Sequence, residues 1–169
     1  MLHNSQTQAM PVQTGVASPE FKEALSKYFA SHSFDETSVA LSDLLQAWIS
    51  PDIESTHSNI AIADQVFFVH NLSAFIFKVA AIDLAGQLGI DDTSEERIFI
   101  LEFFDSFGWD YPTELLMEAL QSWLCPDQYG NQSLKRIADV VSTFSMLEKL
   151  IRTLEALNAK FEMEGGLSC

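Results

Sequence analysis

The sequence predicts an all-α protein, a six-helix domain built from two tandem three-helix repeats with approximate two-fold pseudo-symmetry. The first observation is a repeated passage, since Leu45–Asp52 reads LQAWISPD and Leu120–Asp127 reads LQSWLCPD, both in one register. The same offset relates Ile62–Val66 to Ile137–Val141, which indicates a tandem duplication. The second observation is an apolar fraction of 47%, which is high enough for a packed core. The third is apolar residues spaced three and four apart, as on one face of a helix.

The chain divides into one predicted domain and two short ends. Residues 1–17 carry no Asp, Glu, Lys or Arg and predict a flexible N-terminal tail. Residues 18–164 are predicted to form a single helical domain, with repeat one at 18–89 and repeat two at 93–164. Residues 165–169 are predicted to be a flexible C-terminus. The short link between the repeats favours one domain over two separate units.

The first helix of each repeat is predicted from its start signal. In repeat one it runs from about Glu20 to Ser31, because Ser18 can cap the free amides and Pro19 suits the first turn. In repeat two it starts at Thr93 or Ser94, where Thr93 and Glu96 match the capping-box pattern.

The second helices are bounded by an acid and a proline. Asp35 and Asp110 are predicted to cap them. The helices end at about Ile49 and Leu124, because Pro51 and Pro126 cannot continue a helix. Near these ends, Trp48 and Trp123 are predicted to fill the core.

The third helices are the longest, at about Asn59–Leu88 and Ser133–Glu162, and Gly89 is the predicted stop of the first. Both carry an apolar stripe that predicts a seam, either between the two long helices or between each of them and its own hairpin. The stripe comprises Ile62, Val66, Val69, Leu72, Ile76 and Val79, and then Ile137, Val141, Phe144, Leu147, Ile151 and Leu154.

The first long helix is apolar most of the way round. It has Phe67, Ala74, Phe77 and Ala81 where the second has Ser142, Lys149, Arg152 and Ala156. Such a helix is either central to the fold or covered by another chain, which includes a second copy. A membrane span is not predicted, because polar residues interrupt the helix. These are Asp64, His70, Asn71, Lys78 and Asp83.

The formal charge of −15 argues against a basic face for nucleic acid or for an anionic membrane. Acids concentrate between Asp83 and Asp127, where Arg97 is the single basic residue. This surface predicts attraction of a basic protein partner, and a solvated face that keeps the protein soluble is the alternative. The predicted partner-binding residues are Asp91, Asp92, Glu95, Glu96, Glu102, Asp105, Glu114 and Glu118, with Phe67 and Phe77 on the first long helix.

No catalytic, cofactor or metal site is predicted. The four histidines lack HExxH or ExxH spacing, and neither a CxxC pair nor a glycine-rich phosphate loop occurs. His70 is interpreted as a structural histidine, and Asp139 as the ion-pair partner of Lys135 and Arg136. Two cysteines without a framework, and a start without a secretory signal, predict a cytoplasmic protein.

These observations predict a non-enzymatic acidic module for protein–protein interaction, of the adaptor, inhibitor or immunity-like kind. Its expected partner is a protein, with no direct nucleic acid and no membrane, and a homodimer is compatible with the apolar helix. Two alternatives remain open. One is a nucleic-acid mimic that binds the basic groove of a DNA- or RNA-binding protein. The other is a helical-bundle enzyme or small-ligand binder with a pocket between the long helices, near His70 and Asn71.

Overall fold

The computed structural model describes residues 17–50, 58–125 and 132–166, and within these ranges it contains six helices and no strand. The predicted all-α class and the number of helices are confirmed. The N-terminal tail up to residue 16, Pro51, Pro126 and the last three residues lie outside the described residues. In chain order the helices are α1 (Pro19–Phe29), α2 (Phe34–Ile49), α3 (Asn59–Leu84), α4 (Glu95–Phe107), α5 (Asp110–Leu124) and α6 (Leu134–Gly166).

Serine hydroxyls begin most of these helices. Ser18, Ser58 and Ser94 each accept a hydrogen bond from the amide three residues later, at 3.1 Å. Ser133 does the same at the start of α6, where it accepts from the Arg136 amide at 3.2 Å. A short hydroxyl reaches the third amide of the helix without strain, and the bond satisfies a donor that has no partner within the helix.

Three of the predicted caps are wrong. In α2, the Ser33 hydroxyl accepts from the Glu36 amide at 3.3 Å, and Glu36 accepts from the Ser33 amide at 3.0 Å, so Ser33 forms the capping box. Asp35 lies inside the first turn. In α4 the cap is Ser94, because Thr93 instead donates its amide and hydroxyl to Asp91 at 2.9 and 2.8 Å. In α5, Trp109 is at the cap position without a side-chain cap, and Asp110 is the first residue of the helix, where its Oδ1 accepts a hydrogen bond from the Tyr111 amide at 3.0 Å.

The other end of α3 also differs from the prediction. The helix ends at Leu84, and Gly86 takes a φ of 66°, while the amide of Gln87 donates to the carbonyl of Ile82 at 3.0 Å. A glycine in this left-handed conformation is a common helix stop. The predicted stop at Gly89 is therefore wrong, and Leu88 leaves the helix to pack in the core, where it is 1% exposed.

The six helices share one core. α2 packs on α5 at its centre, α3 packs on α1 and α5, and α6 packs on α1, α2, α4 and α5. The apolar stripe is buried as predicted in its middle, where Val69, Leu72 and Ile151 are fully buried. Of the two seams that the sequence left open, the one between α3 and α6 is not the main contact of either helix. Each long helix packs instead on shorter helices of its own repeat and of the other repeat.

The ends of the predicted domain extend slightly further than expected. Ala17, which was assigned to the tail, is buried in the core at 6% exposure. At the other end, α6 continues to Gly166. The prediction for the tryptophans is confirmed for Trp48, which is 2% exposed, and Trp123 packs half-buried against the core.

Candidate protein-interaction surface

Helix α3 has one buried and one exposed face, and both are apolar. Val69, Leu72 and Ile76 are fully buried, whereas Phe67 is 62% exposed and Phe77 51% exposed. The exposed side contains a row of residues, called the α3 face below, with the exposed Asp64, Val66 and Lys78 beside it. The α3 face comprises Ile60, Ala63, Phe67, His70, Ala74, Phe77, Ala81 and Leu84. The expectation that α3 is central to the fold is wrong, because its own chain covers only one side. The periodic pattern could not show this, since every side of the helix is apolar.

The hydrophobicity of α3 also passes a simple test for a membrane span. Over Ile60–Leu84 it is the one helix, among those that the structure describes, that is long and apolar enough to cross a bilayer. Of the most apolar 18-residue stretch of α3, 28% is buried. A single helix of this kind is weak evidence for a membrane, and the exposed apolar face is the feature that needs an explanation.

A groove runs along each side of the α3 face. On the α1 side the groove has a volume of about 880 Å³ and is lined by residues that include Tyr28, His32, Phe67 and Asn71. On the α5 side it has a volume of about 500 Å³ and is lined by Val66, His70 and Met117 among others. His70 and Asn71 therefore lie in different grooves, and neither of these grooves lies between the two long helices. His70 is exposed and is not part of the core.

Both grooves contain a buried polar atom without a described partner, namely Nδ1 of His32 and Oγ of Ser73. His32 stacks on Tyr28 with ring centroids 5.0 Å apart. Burial raises the pKa of Tyr28 from 10.0 to about 12, although its hydroxyl lies 3.4 Å from that of Thr37. Among the described residues, no three His, Cys, Asp or Glu side chains come together as metal ligands.

Four of the eight predicted acidic contacts are engaged within the chain. Asp91 accepts from Thr93, and Glu96 pairs with Lys160, and these hydrogen bonds lower the pKa of each carboxyl. Asp92 lies 3.5 Å from Arg97, which also pairs with the nearly buried Asp83 and so joins the end of α3 to the start of α4. The only basic residue of the acidic stretch is thereby used inside the fold.

Glu118 is the fourth engaged acid and joins three helices. Its Oε1 accepts a hydrogen bond from Nε1 of Trp48 at 3.0 Å, and its Oε2 pairs with Nη2 of Arg136 at 2.8 Å. Nη1 of Arg136 also donates to the Tyr111 hydroxyl at 3.2 Å. The predicted ion pair between Arg136 and Asp139 is therefore wrong. The ion pair that Arg136 forms instead could not be predicted from local spacing, since Glu118 is 18 residues away and on another helix.

The other four predicted acids lie on the surface. Glu95, Glu102 and Asp105 are exposed along α4, and Glu114 is exposed on α5. None of the four takes part in an ion pair described for the chain. Glu95, Glu102 and Asp105 are seven and three residues apart, which places the α4 acids along one side of that helix, together with the exposed Ile98.

The chain matches no protein-family model, no curated protein and no solved structure.

Proposed function

We propose that the protein is a non-enzymatic protein–protein interaction module, of the adaptor, inhibitor or immunity-like kind, whose main contact surface is the α3 face. The observation that carries this proposal is the exposure of Phe67 and Phe77 on a helix whose other side is core. Soluble monomers rarely leave a long contiguous apolar patch in water, and large aromatic side chains supply much of the binding energy at protein interfaces.

The grooves beside α3 support this proposal. At 1.5 Å per residue, the 26 residues of α3 span about 39 Å, so the face is long enough for a partner helix. The exposed α3 face lies between these two grooves. Its side chains can anchor a partner, and the grooves can receive side chains of the partner. Phe77 also packs edge to face on the exposed Trp109, with centroids 5.1 Å apart, which extends the apolar surface towards α5.

The acidic surface is the second part of the proposal, now restricted to Glu95, Glu102, Asp105 and Glu114. Carboxylates without an ion pair keep their charge available to a basic partner, and they raise the association rate more than the affinity. Asp91, Asp92, Glu96 and Glu118 contribute less, because each already has a partner within the chain.

The duplicated architecture is also a proposal, and the packing supports it. α1 packs on α3 as α4 packs on α6, and α2 packs on α6 as α5 packs on α3. The hydroxyl of Ser122 donates to the carbonyl of Ala47 at 3.1 Å. These two residues are 75 positions apart, the offset of the repeat. Contact between equivalent residues is expected close to a two-fold axis, which would then pass between α2 and α5.

Affinity capture with the full chain from native cells, followed by quantitative mass spectrometry, tests the α3 face. The variant Phe67→Ser/Phe77→Ser should lose the captured partner. The matched control is Val39→Ser, because Val39 is also 62% exposed and belongs to another helix, α2. Equal capture by both variants would contradict the proposal.

A second pair of variants tests the acidic surface. Glu102→Lys/Asp105→Lys should weaken capture at low salt and lose its effect at high salt, because salt screens exposed charges. Asp43→Lys/Asp139→Lys changes the net charge equally at exposed positions on other helices and should leave capture unchanged. If both variants weaken capture to the same extent, net charge rather than this surface is responsible.

The remaining hypotheses draw less support from the described surface. A nucleic-acid mimic needs rows of carboxylates on one side, whereas exposed carboxylates occur on all six helices, among them Glu23, Asp43, Asp64 and Asp139. An enzyme or ligand binder would use the α1 groove, whose lining includes Tyr28, Ser31 and His32; among the described residues no hydrogen bond joins Ser31 to His32. A cytoplasmic location stays a prediction from the sequence.

A further inference from the structure

We propose that the α3 face is the interface of a homodimer, in which two α3 helices pack antiparallel about a two-fold axis near Leu72. The inference rests on the proposed function, because it names a second copy of this chain as the partner of the same surface. Four properties of the face support it.

The first property is the spacing of the exposed residues. Along the whole of α3 the residues of the α3 face follow one another at alternating steps of three and four, from Ile60 to Leu84. This spacing has an average of 3.5 residues, the repeat that keeps the seam of one helix against a second helix. The neighbouring core side of α3 is occupied by its own chain, so only this seam is free for a partner.

The second property is the order of large and small side chains, which is nearly the same in both directions. In an antiparallel pair, Ile60 faces the partner's Leu84, and Ala63 faces the partner's Ala81. Phe67 faces the partner's Phe77, and His70 faces the partner's Ala74. Large residues then form layers with large ones, and small with small, in the three outer layers on each side of the axis, and the two central layers pair His70 with Ala74. A self-complementary surface of this kind is what an isologous two-fold contact requires.

The third property is charge. Each copy carries a formal charge of −15, so two copies repel each other over most of their surfaces. The α3 face contains no Asp, Glu, Lys or Arg. It is flanked by Asp64 and Lys78, and the antiparallel register brings Asp64 of each copy beside the partner's Lys78. A parallel register would not bring these two charges together.

Lys78 is available for this contact. Its ammonium pairs with Glu20 on α1, yet its side chain is 47% exposed. An ammonium group has three donors, so it can bind a second carboxylate without leaving the first.

The fourth property is an aromatic cluster on each side of the two-fold axis. Phe77 already packs on Trp109, which is 44% exposed. In the proposed register, Phe67 of one copy meets this pair on the other copy, so three aromatic rings cluster twice in each dimer. Central aromatic clusters are typical of the residues that dominate an interface.

Sedimentation equilibrium of the full chain tests the dimer. The wild type should reach twice the chain mass of 18.9 kDa within the micromolar range. Phe67→Lys should raise the dissociation constant about 30-fold or more, the usual effect of removing a dominant aromatic contact. Val39→Lys, at equal exposure on α2, should leave it unchanged. Far-ultraviolet circular dichroism of each variant checks that the helices are intact.

Charge exchange tests the register. Asp64→Lys and Lys78→Asp should each weaken the dimer several-fold, because each variant places like charges opposite one another. The double variant Asp64→Lys/Lys78→Asp should restore it. An equimolar mixture of the two single variants should form a heterodimer that is tighter than either homodimer. Loss of folding cannot produce this restoration.

Four results would overturn the inference. A chain that stays monomeric throughout the micromolar range would exclude the dimer. The proposed function would then survive if Phe67→Ser/Phe77→Ser still abolished capture of another protein. A dimer insensitive to Phe67→Lys would place the interface elsewhere, and failure of the double variant to restore the dimer would exclude the antiparallel register. A monomer that binds zwitterionic phospholipid vesicles through Phe67 would make the face a membrane contact.

Discussion

At the scale of single residues, Glu118 makes a different interaction with each of its carboxylate oxygens. Replacement by Ala removes the acceptor of the buried Trp48 indole and the partner of Arg136. We expect Glu118→Ala to lower the free energy of unfolding by about 1–3 kcal/mol, because a buried donor loses its acceptor. Glu118→Gln should cost less, since an amide oxygen can still accept from the indole. Urea unfolding measures both. The exposed Glu114→Ala on the same helix should stay within about 0.5 kcal/mol of the wild type.

Tyr28 makes stability depend on pH at the alkaline end. Because its pKa in the folded state, about 12, lies above the unfolded value of 10.0, its contribution is fully present below pH 10 and is lost as the pH rises towards 12. We expect the urea midpoint to fall over this range and to fall less in Tyr28→Phe. Tyr111→Phe is the control, since Tyr111 is only half-buried. A steep fall that is identical in all three proteins would assign the alkaline loss to other groups.

At the scale of helices, the start of α2 has two residues that could cap it, Ser33 and Asp35. We expect Ser33→Ala to lower the free energy of unfolding by about 1 kcal/mol, the usual cost of losing a capping hydroxyl. Asp35→Ala should cost less, because Asp35 contributes only its charge near the helix start. The control is Ser42→Ala, which lies exposed within the same helix. Greater damage from Asp35→Ala would mean that the aspartate is the cap after all.

The capping box of Ser33 and Glu36 should also make the stability of the protein depend on pH in the acid range. The amide and hydroxyl of Ser33 lower the pKa of Glu36 below its ordinary value of 4.5. The stabilisation is therefore fully present above that value and is lost as the pH falls through the pKa of the folded state. Ser33→Ala should accordingly reduce the acid sensitivity of the urea midpoint.

The helices show which features the sequence could predict. Start residues, proline stops and spacing of three and four are local signals, and they located six helices to within a few residues. Local signals could not choose between neighbouring candidates, such as Thr93 and Ser94 or Gly86 and Gly89, since each pair offers the same chemistry within a few positions. They also could not show which side of α3 its own chain would cover. That choice, like the pairing of Glu118 with Trp48, depends on contacts between residues far apart in the sequence.

At the scale of the whole molecule, 24 acidic residues face nine basic ones. Several of the basic residues already form ion pairs, and most of the acidic residues that the structure describes have no basic partner. The excess negative charge therefore destabilises the compact state through repulsion. We expect moderate sodium chloride to raise the melting temperature by a few degrees, about what a gain near 1 kcal/mol produces. Calorimetry in salt, with sucrose as an uncharged control, measures this. A fall in melting temperature would mean that the ion pairs outweigh the repulsion.

The packing of α2 on α5 and of α1 on α6 determines how the protein should behave when the chain is cut into two fragments. Each half of the sequence covers the core of the other half. The segment between α3 and α4 is the covalent connection between the two halves. Separately expressed halves, cut at Ile90, should therefore remain largely unfolded alone and recover helical structure when mixed. The fold would then behave as a complementation pair, in which reassembly of two fragments reports their encounter.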